Sequence, residues 1–296
     1  MTIDVAPGAA TIAIIGGSGF YEMDGIDDIE TRTVPTPFGE PSAALRIGTL
    51  AGRRVAFLAR HGESHRLLPS EVPSLANIWA LKSLGVQRIL SISAVGSLRE
   101  TIAPTHMVVP DQLIDRTNGR PSTFFGRGLV AHIAFDRPFC PQASATLAAA
   151  AAPVARAHTG GTLVVVEGPA FSTRAESELY RSWRADIIGM TALPEAKLAR
   201  EAGICYATLA CVTDYDTWHP EHDTVTADMI IGNLRANVEH ARRIVRDAVA
   251  SMPVERTCSC ENALEGALIT PLRLVPDGVK RDLAPLLEPY VQGAVR

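Results

Sequence analysis

A chain of 296 residues, 47% hydrophobic and 20% charged, suits one large α/β domain or two small ones around a sizeable core. The formal net charge of −4 leaves no basic footprint for nucleic acid, so local groups must attract any anionic ligand. No apolar run is long enough to span a bilayer, and "MTIDVAPGAA" lacks the charged and apolar regions of a secretory signal, so a cytoplasmic protein without membrane contact is expected.

In chain order, the first element is the apolar run "TIAII" (11–15), which reads as a buried strand. It is followed by "GGSGF", where Gly16, Gly17 and Gly19 allow close backbone approach and Ser18 adds a hydroxyl. A dinucleotide fingerprint fails, because its third glycine would fall at Glu22, and no G-K-[ST] is present for a P-loop. A tight strand exit and a ligand loop fit this stretch equally well. The run "RVAFLA" (54–59) reads as a second strand, with Arg60 and His61 just after it. Arginine offers a planar fork that suits phosphate oxygens, and histidine can donate one or two N–H groups. A solvated basic turn is the competing reading.

"SLANIWALKSL" (74–84) has a helical pattern, and "RILSIS" (88–93) is the next strand. Ser93 and the Ala94 N–H at its end can donate to an anion, and Gly96 allows close approach, although a strand end packed on a helix explains them too. The alanine-rich "ATLAAAAAPVA" (145–155) reads as a surface helix. "TLVVVE" (162–167) is a strand, and Phe171 beyond it can stack on a flat ring or pack in the core. Helical patterns follow at "RAESELYRSW" (174–183) and "PEAKLAREA" (194–202), with Pro194 suited to a first turn. Between them, Met190 and Thr191 follow "ADIIG" and supply apolar surface and a hydroxyl.

"CYATLACV" (205–212) leads into Asp214 and Asp216 of "TDYDTW". Two acids so spaced are common turn formers, but they can also read the donor edge of a base or deliver a proton. A long helix is expected from an N-cap at Thr226, with Ile231, Leu234, Val238, Ala241, Val245 and Ala248 on one buried face. A last helix is expected near 278–289.

The five cysteines are odd in number, and Cys140, Cys205 and Cys211 are scattered, which favours reduced thiols over a disulfide framework. Cys258 and Cys260 form "CSC". No further ligands have metal-binding spacing, so no metal is expected there. Two free thiols is the main reading, and a strained local or intersubunit disulfide is the alternative.

Alternating strands and helices predict a mostly parallel, helix-covered sheet, with ligands outside the carboxyl ends of the strands. Ser18, Arg60 with His61, and Ser93 with Ala94 then supply donors for an anion. Phe171 and the Asp214/Asp216 pair supply a face and an acid edge for a nitrogen heterocycle. Together they describe phosphate beside a base.

The blocks "IAIIGGSGFYE", "TPFGEPSAAL", "FLARHG", "NIWALKSLG", "SAVGSLRE", "DQLIDRT", "EGPAFSTRAES", "GMTALPEAKLAREAGICYA" and "VTDYDTWH", spread over residues 11 to 250, resemble the methylthioadenosine-cleaving branch of the purine nucleoside phosphorylase family. The resemblance implies a single-domain α/β sandwich with a mixed, partly barrel-like central sheet flanked by helices. A flexible N-terminus at 1–10, a phosphorylase domain at 11–251, and an extension at 252–296 packed on the domain or on a neighbouring subunit are expected. The implied reaction is phosphorolysis of S-methyl-5′-thioadenosine to adenine and 5-methylthioribose 1-phosphate, with inorganic phosphate as co-substrate and no cofactor. A homotrimer or a dimer of trimers is implied.

Carried over by motif, Ser18, Arg60, His61, Ser93, Ala94 and Thr191 contact phosphate, Met190 contacts the sugar, Phe171 walls the base, and Asp214 and Asp216 read it and act in catalysis. His132, in "AHIAFDRPFC", is lent by a neighbouring subunit to the methylthio end. Ser172 and Ala227 are expected to tune specificity. The chain departs from the family at Ser18, where threonine is frequent, at Ala170, where arginine is common, and at Ala227, where a larger aliphatic residue is usual. A broader purine nucleoside phosphorylase acting on adenosine, inosine or methylthioinosine is the alternative. "RHGES" also matches the opening signature of histidine phosphatases, but it lacks the first-strand context and second basic pair of that class.

Overall fold

The computed structural model describes residues 10–18, 20, 23–219 and 227–291, without the side chains of 227–231 and 291. Its strands are β1 (Ile12–Gly16), β2 (Ile26–Arg32), β3 (Leu45–Leu50), β4 (Arg53–Ala59), β5 (Arg88–Ser97), β6 (Met107–Val109), β7 (Gln112–Arg116), β8 (Ala157–Thr159), β9 (Thr162–Val166), β10 (Ile187–Gly189) and β11 (Cys205–Asp214). The helices are α1 (Ser74–Ser83), α2 (Pro141–Ala151), α3 (Arg174–Ser182), α4 (Ala192–Glu201), α5 (Ala227–Ser251), α6 (Asp277–Asp282) and α7 (Ala284–Val291).

All strands join one sheet, and β5 is its pivot. Its first half pairs parallel with β1, its far end pairs antiparallel with β10, and its other edge runs parallel with β11 along nearly its whole length. One strand therefore serves three partners, and the sheet branches there. The order β2-β3-β4-β1-β5-β10-β9-β7 continues on one path, while β11, β6 and β8 form the other. The β2–β3–β4 meander and the β10–β5 and β11–β6 pairs are antiparallel, so the sheet is mixed, as the family resemblance implies.

Side-chain alternation explains the sandwich. On β1, Ala13 and Ile15 enter one apolar cluster, while Ile12 and Ile14 enter the other. The first cluster holds Ala80 and Leu81 of α1, Leu198 of α4 and Leu287 of α7. The second holds Leu147 of α2 and Ile244 and Val245 of α5. A strand buried on both faces needs a continuous apolar run, which "IAII" supplies. The opposite pattern marks β2, "IDDIETR", which is exposed along nearly its full length and ends the sheet in charges that discourage further pairing.

Several boundaries differ from the sequence expectations. β5 runs on to Ser97, so Ser93 and Ala94 lie inside the strand rather than after it. β11 runs to Asp214. The alanine-rich helix is α2, which buries Ala143, Leu147, Ala150 and Ala151 and stops before Pro153. The expected last helix is split into α6 and α7 at Leu283, two residues before Pro285, which has no N–H to continue α6 and falls in the first turn of α7. Ala241, Val245 and Ala248 of α5 are buried as expected, Leu234 and Val238 are only half-buried, and the Thr226 cap and the Ile231 side chain lie outside the described residues.

Candidate active site

The carboxyl ends of β1, β4 and β11, the second half of β5, and the exits of β9 and β10 border one cavity of about 320 Å³, a size suited to a small molecule. Its wall includes Ser18, Arg60, His61, Ser93, Ala94 and Thr191. It also includes Phe171, Ser172, Met190, Asp214 and Asp216. Residues from six loops or strands thus meet in one space. Ser93 and Ala94 reach it from inside β5 because β10 pairs only with the Gly96–Ser97 end of that strand. His132 is outside this cavity: it is exposed, and its N–H donates to the Ala267 carbonyl at 2.9 Å. The Ala227 side chain lies outside the described residues.

Arg60 is 1% exposed and already heavily engaged. Its Nε donates to Glu195 Oε1 at 2.5 Å and its Nη2 to Glu195 Oε2 at 3.1 Å, so the planar fork grips a carboxylate of α4. Nη2 also donates to Ser91 Oγ at 2.6 Å, and Nη1 to the Ile92 carbonyl at 2.8 Å. Of five N–H donors, four are spent and one Nη1–H remains for the cavity. Burial lowers the Arg60 pKa, but the Glu195 carboxylate outweighs it, and the net shift is upward. Gly17 makes room for the guanidinium: a Cβ there would lie 2.7 Å from Arg60 Nη1. Glu195 escaped the sequence reading because its partner lies 135 positions earlier in the chain.

His61 is buried, and its Nδ1–H donates to the Leu67 carbonyl at 2.9 Å. Burial, then the Arg60 charge, lowers its pKa from 6.5 to about 4. At neutral pH the ring is uncharged and Nε2 is an acceptor. It therefore suits a P–OH donor, rather than the bare phosphate oxygen that an imidazolium would serve. Ser93 Oγ and Thr191 Oγ1 lie 2.8 Å apart, which ties β5 to the loop before α4.

That loop is fixed from outside by Arg120, whose side chain is 4% exposed. Arg120 Nη1 donates to the carbonyls of Met190 at 2.7 Å and Leu193 at 2.9 Å. Its Nη2 donates to the Glu167 carbonyl at 2.6 Å, and its Nε pairs with the Glu167 carboxylate at 3.0 Å. One guanidinium thus locks the Met190–Thr191 segment to the exit of β9. Gly168, at φ +68, permits the fit, since a Cβ would lie 2.5 Å from Met190 Sδ.

Asp214 and Asp216 are 6% and 7% exposed. Asp214 Oδ2 accepts from the Thr213 hydroxyl at 2.7 Å, and Oδ1 accepts from the Asp216 N–H at 2.8 Å. Burial nevertheless raises its pKa above the ordinary carboxylate range. Burial raises that of Asp216 as well, against the pull of the Ser177 and Ser172 hydroxyls. Asp216 Oδ2 has no hydrogen-bond partner among the described residues, and the residue sits in the left-handed region at φ 52. A buried, unpaired carboxylate oxygen on a strained backbone marks a functional position. Gly96 serves these acids: a Cβ there would lie 2.8 Å from Asp214 Oδ1. Asn233 and Asn237 of α5 donate to the Thr213 and Val212 carbonyls at 2.7 and 2.8 Å, which holds the strand end in register.

The cysteines correct the sequence reading. Cys140 and Cys205 are not scattered from Cys258 and Cys260; all four Sγ atoms lie within 4.8 Å of one another.

Comparison with known proteins agrees with this fold. The family model described as the phosphorylase superfamily matches residues 11–250. The chain is 58% identical over 287 residues to S-methyl-5′-thioadenosine phosphorylase of Gloeobacter violaceus, covering 95% of this chain and 96% of that one. It is 56% identical over 284 residues to the enzyme of the same name from Koribacter versatilis, covering 95% and 97%. Among solved structures, methylthioadenosine phosphorylase from an antarctic soil metagenomic library superposes with a TM-score of 0.89 at 52% identity, covering 95% and 99%. A Schistosoma mansoni adenosine/methylthioadenosine phosphorylase variant in complex with methylthioadenosine has a TM-score of 0.80 at 34% identity, covering 94% and 98%. With its β5-centred mixed sheet and a cavity that sets hydroxyl and guanidinium donors against two buried acids, this chain belongs to the phosphorylase superfamily.

Proposed function

We propose that this enzyme is a pentosyltransferase that cleaves S-methyl-5′-thioadenosine with phosphate, forming adenine and 5-methylthioribose 1-phosphate. The observation that carries this reading is the joint presence, in one cavity, of Ser18, Arg60, Ser93 and Thr191 with the buried acids Asp214 and Asp216. Phosphate oxygen forms a bond to C1′ as the C1′–N9 bond breaks and its electron pair leaves with the purine. Positive charge grows on the sugar and negative charge on the base, and both need more stabilisation in the transition state than in the ground state. Phosphate held by hydroxyls, the free Nη1–H of Arg60 and the Ala94 N–H supplies the anion next to the sugar. His61 Nε2 orients it by accepting from a P–OH.

Asp214, with its raised pKa, donates toward N7 and neutralises the leaving base. Asp216 Oδ2 accepts from the exocyclic amine. Adenine presents a donor at that edge, while hypoxanthine presents an acceptor, which leaves the carboxylate unpaired. This favours the adenine nucleoside over inosine and methylthioinosine. Phe171 and Met190 line the base and sugar sides. No helix among the described residues is long and apolar enough to cross a membrane. Residues 11–251 would act as the catalytic unit with the described part of the 252–296 extension packed on it; the Trp79 Nε1–H donates to the Asp282 carbonyl at 2.7 Å, which supports this.

An exposed His132, outside its own chain's cavity, suits a homo-oligomer in which each copy completes a neighbour's 5′ pocket, with Ser172 and Ala227 tuning specificity. Light scattering on the purified chain tests for a trimer or hexamer. The reaction is tested by release of adenine from methylthioadenosine with and without added phosphate; equal release in both rules out phosphorolysis.

A further inference from the structure

The cysteine cluster lies at the amino end of β11, nine residue steps from Asp214, or about 30 Å along a strand. Cys205 begins that strand, Cys140 precedes the first turn of α2, and Cys258 and Cys260 lie in the segment after α5. Three of the four are buried and Cys258 is half-buried. All their sulfurs lie within 4.8 Å of one another, and Cys205 and Cys258 approach to 3.3 Å. Those separations are too long for S–S bonds, which are about 2.0 Å. They match a tetrahedron around Zn²⁺, where Zn–S bonds of about 2.3 Å set sulfurs about 3.8 Å apart.

The surroundings supply the charge such a site needs. Zinc with four thiolates carries two negative charges, which are costly to bury without compensation. Arg88 is 1% exposed and donates to the Val254 carbonyl of the same segment at 3.1 Å, which keeps a buried cation beside the cluster. Arg256 donates to the Gly203 carbonyl at 2.9 Å, two residues before Cys205, but its charge is paired with Glu261, so it positions the segment and leaves the compensating charge to Arg88. Cys140 sits at the N-cap of α2, where the helix dipole favours a thiolate. Gly203, at φ +66, lets the segment pass close, since a Cβ there would lie 3.0 Å from the Glu261 carbonyl oxygen.

We propose that Cys140, Cys205, Cys258 and Cys260 form a four-thiolate site for Zn²⁺ that fastens the segment after α5 to the amino end of β11. Each thiol gives up its proton to solvent on binding; no electrons move and no oxidant is needed. The role is structural, because all four positions are filled by protein and none stays open for substrate.

The test uses the full chain, expressed with zinc in the medium and purified under reductant without chelator. Elemental analysis is expected to find one zinc per chain, and zinc-edge X-ray absorption is expected to find four sulfur neighbours. Cys258→Ser and the double variant Cys258→Ser/Cys260→Ser should lose the zinc while keeping the wild-type circular dichroism. If these variants do not fold, the wild-type zinc count and sulfur coordination decide alone. The proposal is overturned if wild-type protein carries no zinc and takes up none on titration with Zn²⁺ under reductant. It is equally overturned if the mass of freshly isolated zinc-free protein shows the cysteines joined as disulfides that do not yield to zinc after reduction.

Discussion

Removing Glu195 isolates the physics of the phosphate end. Arg60 and Glu195 are each 1% exposed, joined by two hydrogen bonds at 2.5 and 3.1 Å. The Tyr206 hydroxyl lies 2.9 Å from Glu195 Oε2. Glu195→Leu strands the guanidinium charge in the core, while the Tyr206 hydroxyl keeps Ser91 Oγ at 2.9 Å. Breaking one side of a buried pair costs about 3–5 kcal/mol, against a native stability of about 5–15 kcal/mol. Replacing both partners with apolar groups of similar size is often close to neutral, so Arg60→Met/Glu195→Leu should recover most of that loss. Urea unfolding of wild type, both single variants and the double variant gives the coupling energy. Phosphate KM, measured on the same proteins, should rise in every variant, including the stable double one. Stability would then be separated from phosphate binding. A Glu195→Leu loss under about 1 kcal/mol, or a double variant no better than the single, would refute the account of a buried charge needing its partner.

Three further outcomes follow from the same geometry. The His61 pKa falls from 6.5 in the ordinary state to about 4 in the fold, so stability is complete above pH 6.5 and about 3 kcal/mol is lost as pH falls through 4; in His61→Gln the acid limb of urea stability should flatten across that window. Asp216 has a raised pKa, so the native state loses stability as pH rises above the carboxylate range. Asp216→Asn should therefore melt higher than wild type at pH 8, lose that advantage near pH 3, and discriminate less between adenine and hypoxanthine nucleosides; a lower melting temperature at pH 8 counts against the reading. Arg120→Met should leave the fold intact but free the Met190–Thr191 segment, lowering kcat/KM by about 10- to 100-fold, with circular dichroism as the control.

The main strands and their order of functional loops were legible from local pattern. Apolar runs such as "IAII" and "RVAFLA" are stable when buried on both faces, and the loops after them are where Ser18, Arg60 and His61 meet the cavity. The family blocks carried the residue roles beyond what pattern supplies. Local pattern failed where an energy depends on a distant partner. β5 continues through Ser97 because β10 and β11 offer it hydrogen-bond partners there, and nothing in "AVGS" announces that. The fork of Arg60 is aimed at Glu195, Arg120 at Met190 and Leu193, and Cys140 and Cys205 at the "CSC" pair. Each of these contacts closes a gap of tens to more than a hundred residues. The sequence sufficed for the long buried strands and most helices, because burial and periodicity act between near neighbours, but not for β2, β3, β6, β7, β8 and β10, which are short or interrupted by polar residues. Only the tertiary structure decided which buried charges and thiols would meet, because a charge or a metal ligand in a low-dielectric core is tolerated only where the fold brings its counterpart within bonding distance.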